Sequence, residues 1–200
     1  MNNFKWYMIS TVRGKEEQVI EALNNRIIAE NVAESFNQYA TQDGAFKIFK
    51  KPILTAKELE KRRLGQEYKV KYTNLYPGYI FANMDMTDEA WYVVRNTQNV
   101  TGIIGSSGKG AKPTPVSSRE IRKMEKAAEE ATHLFNLGKN LQGLKINDLV
   151  VVLDGPFKGE IGPIKSLNLD ANIATIQIES FGKRTSVELS IDSLEHSTEY

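Results

Sequence analysis

Hydrophobic and polar positions change period several times along this 200-residue chain, and each change marks a predicted element. Residues 4–9 alternate, with Phe4, Trp6 and Met8 on one face and Tyr7 and Ile9 on the other, which predicts a strand stopped by Gly14. Val19, Leu23 and Ile27 recur at helical spacing and predict a helix over 15–29. Glu16 and Glu17 in its first turn and Arg26 near its end suit the helix dipole. The polar stretch 31–45 reads as a frayed connection, and 46–54 as a strand interrupted at Pro52. Residues 57–66 form a short helical or flexible tip, with Thr55 and Glu58 at capping-box spacing. Strands at 68–72 and 79–84 flank a Pro77-Gly78 turn. Thr87 opens a helix carrying Ala90, Trp91 and Val94 that closes near Asn96, and 100–104 is a short strand. Ser117 and Glu120 form a second capping box before a helix over 119–131.

That order predicts an α+β N-terminal domain over 1–131, one antiparallel sheet flanked by helices. Residues 132–145 lack strong periodicity and read as a linker. Beyond them, 150–153 is apolar, Ala174, Ile176 and Ile178 alternate with polar residues, and so do Val187 and Leu189. Period-2 patterning broken by frequent turns predicts a small all-β barrel over 146–200. About fifty residues bury little core, so this barrel is expected to be only modestly stable.

Composition removes several chemistries. There is no cysteine, which excludes disulfides, thiolate zinc sites and cysteine nucleophiles. His133 and His196 sit near predicted element or chain ends without a metal-ligand pattern, so no metal and no cofactor is expected. No apolar run is long enough to span a membrane, and the first residues lack a secretion pattern, so the cytoplasm is the expected compartment. The net charge of +1 is unevenly spread: residues 1–131 carry +4, and residues from 148 onward carry −5. An acidic barrel forgoes the counterion release that drives nucleic-acid affinity, and points to a protein partner.

The loop Gly105-Ser106-Ser107-Gly108-Lys109-Gly110 evokes a phosphate cradle, but its spacing fails: Lys109 is followed by glycine, and two prolines precede the helix. Ser106 and Lys109 have serine-acylase spacing without the partner motifs. The adjacent pairs Glu16-Glu17 and Glu129-Glu130 diverge by about 100° on a helix and read as solvated faces. No catalytic constellation is present, and the chain is expected not to be an enzyme.

Two segments use special residues. Leu75-Tyr76-Pro77-Gly78-Tyr79 sets aromatics around a tight turn, either as a corner packing its own core or as the rim of a partner groove. Asp154-Gly155-Pro156-Phe157 places a phenylalanine at a turn tip, costly to expose unless a partner covers it.

With these motifs in order across a linker, the chain resembles the NusG family over nearly its whole length. Trp6-Tyr7, Tyr76-Pro77-Gly78-Tyr79-Ile80, the run from Ala90 through Thr97, and Val100-Thr101-Gly102 resemble its N-terminal (NGN) domain. Asp154-Gly155-Pro156-Phe157 and the run from Phe181 through Leu189 resemble its SH3-like KOW barrel. The resemblance implies a monomeric, non-catalytic elongation adaptor that modulates pausing, termination and antitermination. Leu75, Tyr76, Pro77 and Trp91 would dock on the clamp helices of the RNA polymerase largest subunit. Arg95, Asn96 and Thr97 match the stretch that approaches non-template DNA, although Asn96-Thr97 also reads as a plain helix end. Phe157, Ile161, Phe181 and Arg184 match the barrel patch that recruits Rho or a small-subunit ribosomal protein. Three features depart from the family pattern: Ser180 replaces an aliphatic residue, Pro163 stands inside a strand, and segment 31–50 is long. Alternatives are a specialised paralogue serving particular operons and a ribosome-associated KOW protein that binds RNA. The second should have a basic barrel.

Overall fold

The computed structural model describes residues 3–106, 111–180 and 182–197. Phe181, the side chain of Ser180, and Ser107 to Gly110 of the cradle-like loop therefore lie outside the described residues. In chain order the elements are β1 (Lys5–Thr11), α1 (Glu16–Ala29), β2 (Phe46–Lys47), β3 (Lys50–Ile53), α2 (Ala56–Arg63), β4 (Lys71–Asn74), β5 (Tyr79–Met84), α3 (Asp88–Arg95), β6 (Val100–Ile103), α4 (Ser118–Asn136), β7 (Leu149–Val152), β8 (Ile161–Asn168), β9 (Ile173–Ser180), β10 (Lys183–Ser190) and β11 (Leu194–His196). They fall into two compact units, one of residues 1–50 and 74–128, the other of residues 51–73 and 129–200.

The first unit is an antiparallel sheet in the order β2-β5-β1-β6. β1 alternates as its sequence requires, with Tyr7 and Ile9 buried and Trp6 and Met8 on the other face. Its central pairing sets Tyr7 opposite Ala82 and Ile9 opposite Ile80. Val19, Leu23 and Ile27 of α1 and Ala90, Val93 and Val94 of α3 cover that face. The opposite face carries Phe81, which packs with Phe49, Leu75 and with Ile121 of α4. Thr87 caps α3 by accepting from the Ala90 N–H at 3.1 Å. At α4 the expected capping box forms in both directions: Glu120 N–H donates to Ser117 Oγ, and Ser117 N–H to Glu120 Oε2 at 2.9 Å. The Ser117 hydroxyl, which donates to Glu120 Oε2 at 2.6 Å, and then the Ser117 N–H hold the Glu120 carboxyl below its ordinary range.

Three expectations change here. Segment 31–45 is anchored rather than frayed: Phe36 is buried, bridges to Met84, and packs against Phe46 at 5.8 Å between ring centroids. The expected strand 46–54 divides in two, and β4 pairs with β3 in a separate two-stranded sheet instead of joining the main one. The helix over 119–131 continues to Asn136, so part of the expected linker is helical. In the added stretch Phe135 is partly buried against Leu54, Leu59 and Leu141, of which the first two lie far from it in sequence.

In the second unit five antiparallel strands in the order β10-β9-β8-β7-β11 wrap a single apolar cluster. Val150, Val152, Ile164, Ala174, Ile176 and Ile178 supply its centre, which is the period-2 pattern of the sequence made physical. After the turn that carries Phe157 the chain returns as β8. Pro163 has no N–H for a ladder, and the β8–β9 pairing begins one residue later, at Ile164 opposite Ile176. The β3–α2–β4 segment belongs to this unit. Leu54 and Leu59 pack with Leu141 and Phe135, Leu54 N–H donates to the Leu141 carbonyl at 2.7 Å, and Arg63 donates to the Asp192 carbonyl at 3.2 Å.

Candidate functional site

The aromatic turn in the first unit is built from backbone outward. Gly78 takes φ +86°, which β-carbon-bearing residues seldom adopt. Its carbonyl accepts from Thr11 N–H at 2.8 Å, and its N–H donates to Glu16 Oε1 at 2.6 Å. Glu16 is buried, so the expectation of a solvated Glu16-Glu17 pair is corrected: this carboxylate is a fixed acceptor for the turn. Asn74 Oδ1 accepts from Tyr76 N–H at 2.8 Å on the other flank. Pro77 and Tyr79 are thereby held exposed, and Tyr76 is half-buried. Its ring meets Phe49 edge-on at 5.9 Å and Phe81 at 6.4 Å, and burial raises its phenol pKa. Leu75 is buried beneath it. Glu16→Ala should leave the Gly78 N–H without its partner. We expect about 1–3 kcal/mol of lost stability and faster amide exchange confined to the 76–79 turn, read by hydrogen exchange.

The face behind this turn is only half covered. Phe49, Leu75, Phe81 and Ile121 are buried, whereas Trp6, Met8, Tyr76, Val116 and Met124 around them keep partial exposure. Trp91 does not join it. It packs with the cluster on the opposite face of the sheet, where the Arg95 guanidinium lies 5.2 Å over its ring. Trp91 and Arg95 line a cavity of about 240 Å³ with Thr101, Gly102, Ile103, Ser106 and Ala111. Asn96 is exposed at the end of α3, its side chain donating to the Tyr92 carbonyl at 2.8 Å. Thr97 is 3% exposed and its hydroxyl donates to the Val93 carbonyl at 2.7 Å, so it closes the helix and offers nothing outward.

In the second unit, Ile161 and Arg184 meet in a cavity of about 360 Å³ lined also by Leu149, Pro163, Gln177 and Glu179. Arg184 lies 3.7 Å from Glu179. Phe157 is half-buried against the unit's own core, which covers part of the side chain the sequence left at a turn tip. His133 and His196 are exposed, and among the described residues no group of histidine, aspartate and glutamate could hold a metal ion. Among the described residues no helix is long and apolar enough to cross a membrane.

Residues 4–125 match the family model described as transcription termination factor nusG, and residues 146–178 match the KOW motif. The transcription termination/antitermination protein NusG of Staphylococcus aureus is 31% identical over 191 residues, covering 96% of this chain and 94% of that protein. The chain belongs to the NusG family. Its broad role is accordingly that of a transcription termination/antitermination factor.

A solved structure of domain interaction in Thermotoga maritima NusG is 25% identical and covers 97% of both chains with a TM-score of 0.43. An Spt4:Spt5 complex designated Mj gives 12% identity and a TM-score of 0.32. Superpositions this loose add nothing to the assignment. Two contributors to the turn, Glu16 and Phe49, were missed from the sequence of this NusG-family chain. Glu16 acts 62 residues away, which no local pattern signals. Phe49 sits in a run of mixed polarity and becomes part of the aromatic stack only once β5 pairs beside it.

Proposed function

We propose that this chain is a non-catalytic adaptor whose first unit docks on the clamp helices of the RNA polymerase largest subunit and whose sheet unit recruits Rho or a small-subunit ribosomal protein. The observation that carries the docking half is the half-covered apolar face. A rigid turn presents Tyr76 and Pro77 beside Trp6, Met8 and Met124, with Leu75 as floor. Partly exposed aromatics over a packed floor suit a helical partner, whose apolar ridge completes the burial. Trp91 drops out of this surface, and Arg95 with Asn96 remains the stretch for non-template DNA. Arg95 supplies a cation already stacked on an indole, and Asn96 a short hydrogen-bonding group. In the sheet unit, Ile161 and Arg184 with Leu149 form the recruiting surface, and Phe157 keeps a partly exposed ring. The net −5 of residues 148–200 favours a protein over RNA there, which disfavours the ribosome-associated RNA-binding alternative.

Core RNA polymerase retained by immobilised full-length chain tests this reading. Wild type should retain polymerase, and both Tyr76→Ala and Pro77→Asp should lose at least about tenfold, the effect of roughly 1.4 kcal/mol of binding free energy. Pro77 is exposed, so its replacement separates lost docking from lost folding. Full retention by Pro77→Asp, or no retention by wild type, would sink the proposal.

A further inference from the structure

The β3–α2–β4 segment is charged oppositely to the rest of its unit. Residues 51–73 hold seven lysines and arginines and three glutamates, a net of +4, whereas residues 129–200 carry −5. Its acids are largely engaged within the segment. Glu58 pairs with Lys61 at 2.7 Å and accepts the Lys69 backbone N–H at 2.6 Å, and Glu60 lies 3.7 Å from Arg63. Among the described residues Lys57, Lys69 and Lys71 make no ion pair, and all three are exposed. Every residue from 63 to 72 is exposed, including Leu64, Tyr68 at 39%, Val70 and Tyr72 at 64%. The sequence Tyr68-Lys69-Val70-Lys71-Tyr72 thus interleaves flat aromatic side chains with free ammonium groups over a short exposed length.

This exposure is not looseness. Thr55 caps α2 by accepting from the Glu58 N–H, Leu59 is buried with Leu54 and Leu141, and β4 is paired to β3. A fixed surface that leaves two tyrosines, a valine and a leucine in water calls for a covering ligand. Unpaired cations alternating with π-faces fit a polyanion whose bases can stack, since stacking tolerates any base and phosphates supply the charge. An acidic protein would use the lysines and leave the tyrosine faces without a role.

We infer that the exposed 57–72 stretch of this segment binds single-stranded nucleic acid, with Lys57, Lys69 and Lys71 meeting phosphates and Tyr68 and Tyr72 stacking on bases. This surface is distinct from Arg95 and Asn96, which belong to the other unit. It needs neither the polymerase nor the recruiting surface of the sheet.

Fluorescence anisotropy of full-length chain with labelled oligo-dT and oligo-rU of about twelve nucleotides, a length within the usual single-strand site sizes, tests it. Wild type should bind at low salt, with a log–log salt slope of about −2 for three phosphate contacts on a single strand. The combined Lys57→Gln, Lys69→Gln and Lys71→Gln variant should bind at least about tenfold more weakly and with a slope near zero. Tyr68→Ala with Tyr72→Ala should weaken binding about tenfold or more yet keep the slope, because stacking carries no counterions. Binding of either oligonucleotide with this pattern supports the proposal, and a preference between the two identifies DNA or RNA as the ligand. Three results overturn it: no binding of either, loss on Arg95→Ala with none on the lysine variant, or equal binding of poly-glutamate with no response to the tyrosine changes.

Discussion

Gly162→Ala should abolish the folded sheet unit at ambient temperature. A β-carbon at residue 162 would lie 2.0 Å from the Gln177 carbonyl oxygen and 2.8 Å from its carbon. Overpacked cores usually lose about 1–3 kcal/mol because side chains shift aside. Here the obstacle is backbone, and β9 is held on its other side by β10 in an unbroken register from Ser180 to Ile173. Separating β8 from β9 would break the pairing that encloses Ile164, Ile176 and Ile178. We expect a loss of about 5 kcal/mol or more, which matches or exceeds the total, on the order of 5 kcal/mol, of a domain of this small size. Amide NMR dispersion of the sheet residues should collapse while signals of the first unit persist. A variant with native dispersion and a melting temperature lowered by only a few degrees would contradict the geometry.

Lys51→Met should have the opposite sign. Lys51 is 9% exposed, and its amine donates to the Gly143 carbonyl at 2.6 Å. Burial, then the Lys145 charge, lowers its pKa to about 8, with Asp148 opposing. Between that value and the ordinary lysine value of 10.5 the unfolded chain holds a proton that the folded chain has released. The charge therefore destabilises the fold in full below pH 8, and the penalty is relieved as pH rises toward 10.5. A shift of this size corresponds to at most roughly 3 kcal/mol. Methionine fills similar volume without a charge, but strands the Gly143 carbonyl, which costs about 1 kcal/mol. The net expectation at pH 7 is a gain of about 1–2 kcal/mol in the unfolding transition of the sheet unit. More telling is the slope. Wild type should gain stability between pH 8 and 10.5 relative to the variant, in urea melts run in parallel. Equal pH profiles would mean the amine is solvated in the folded state.

Both predictions concern residues whose roles depend on distant segments. In the sequence Gly162 stands close to Gly155 and Gly159, and nothing local singles it out over either. Only the approach of β9 makes it indispensable, because neither of the others would place a β-carbon near any atom. Lys51 read as an ordinary charged residue beside Pro52 until β3 was laid against the Gly143 loop. Glu16 and Phe49 belong to the same class.

The sequence by itself determined what is local or periodic. Strands, helices, the Ser117–Glu120 capping box and the Thr55 cap follow from spacing, since a side chain's face is set by its position along a helix or strand. The Glu58 carboxylate, by contrast, left the expected box for Lys61 and the Lys69 N–H. The α+β and all-β division and the family follow from ordered motifs, and those same motifs located the aromatic turn. The tertiary structure alone decided which faces meet. It put Trp91 and Tyr76 on opposite sides of one sheet, turned Thr97 inward, buried Glu16, and drew 51–73 out of the first unit. Those outcomes depend on which strand pairs with which, and pairing joins residues tens of positions apart. No local spacing encodes such a choice, because it is settled by the burial of whole faces rather than by the residues of any one element.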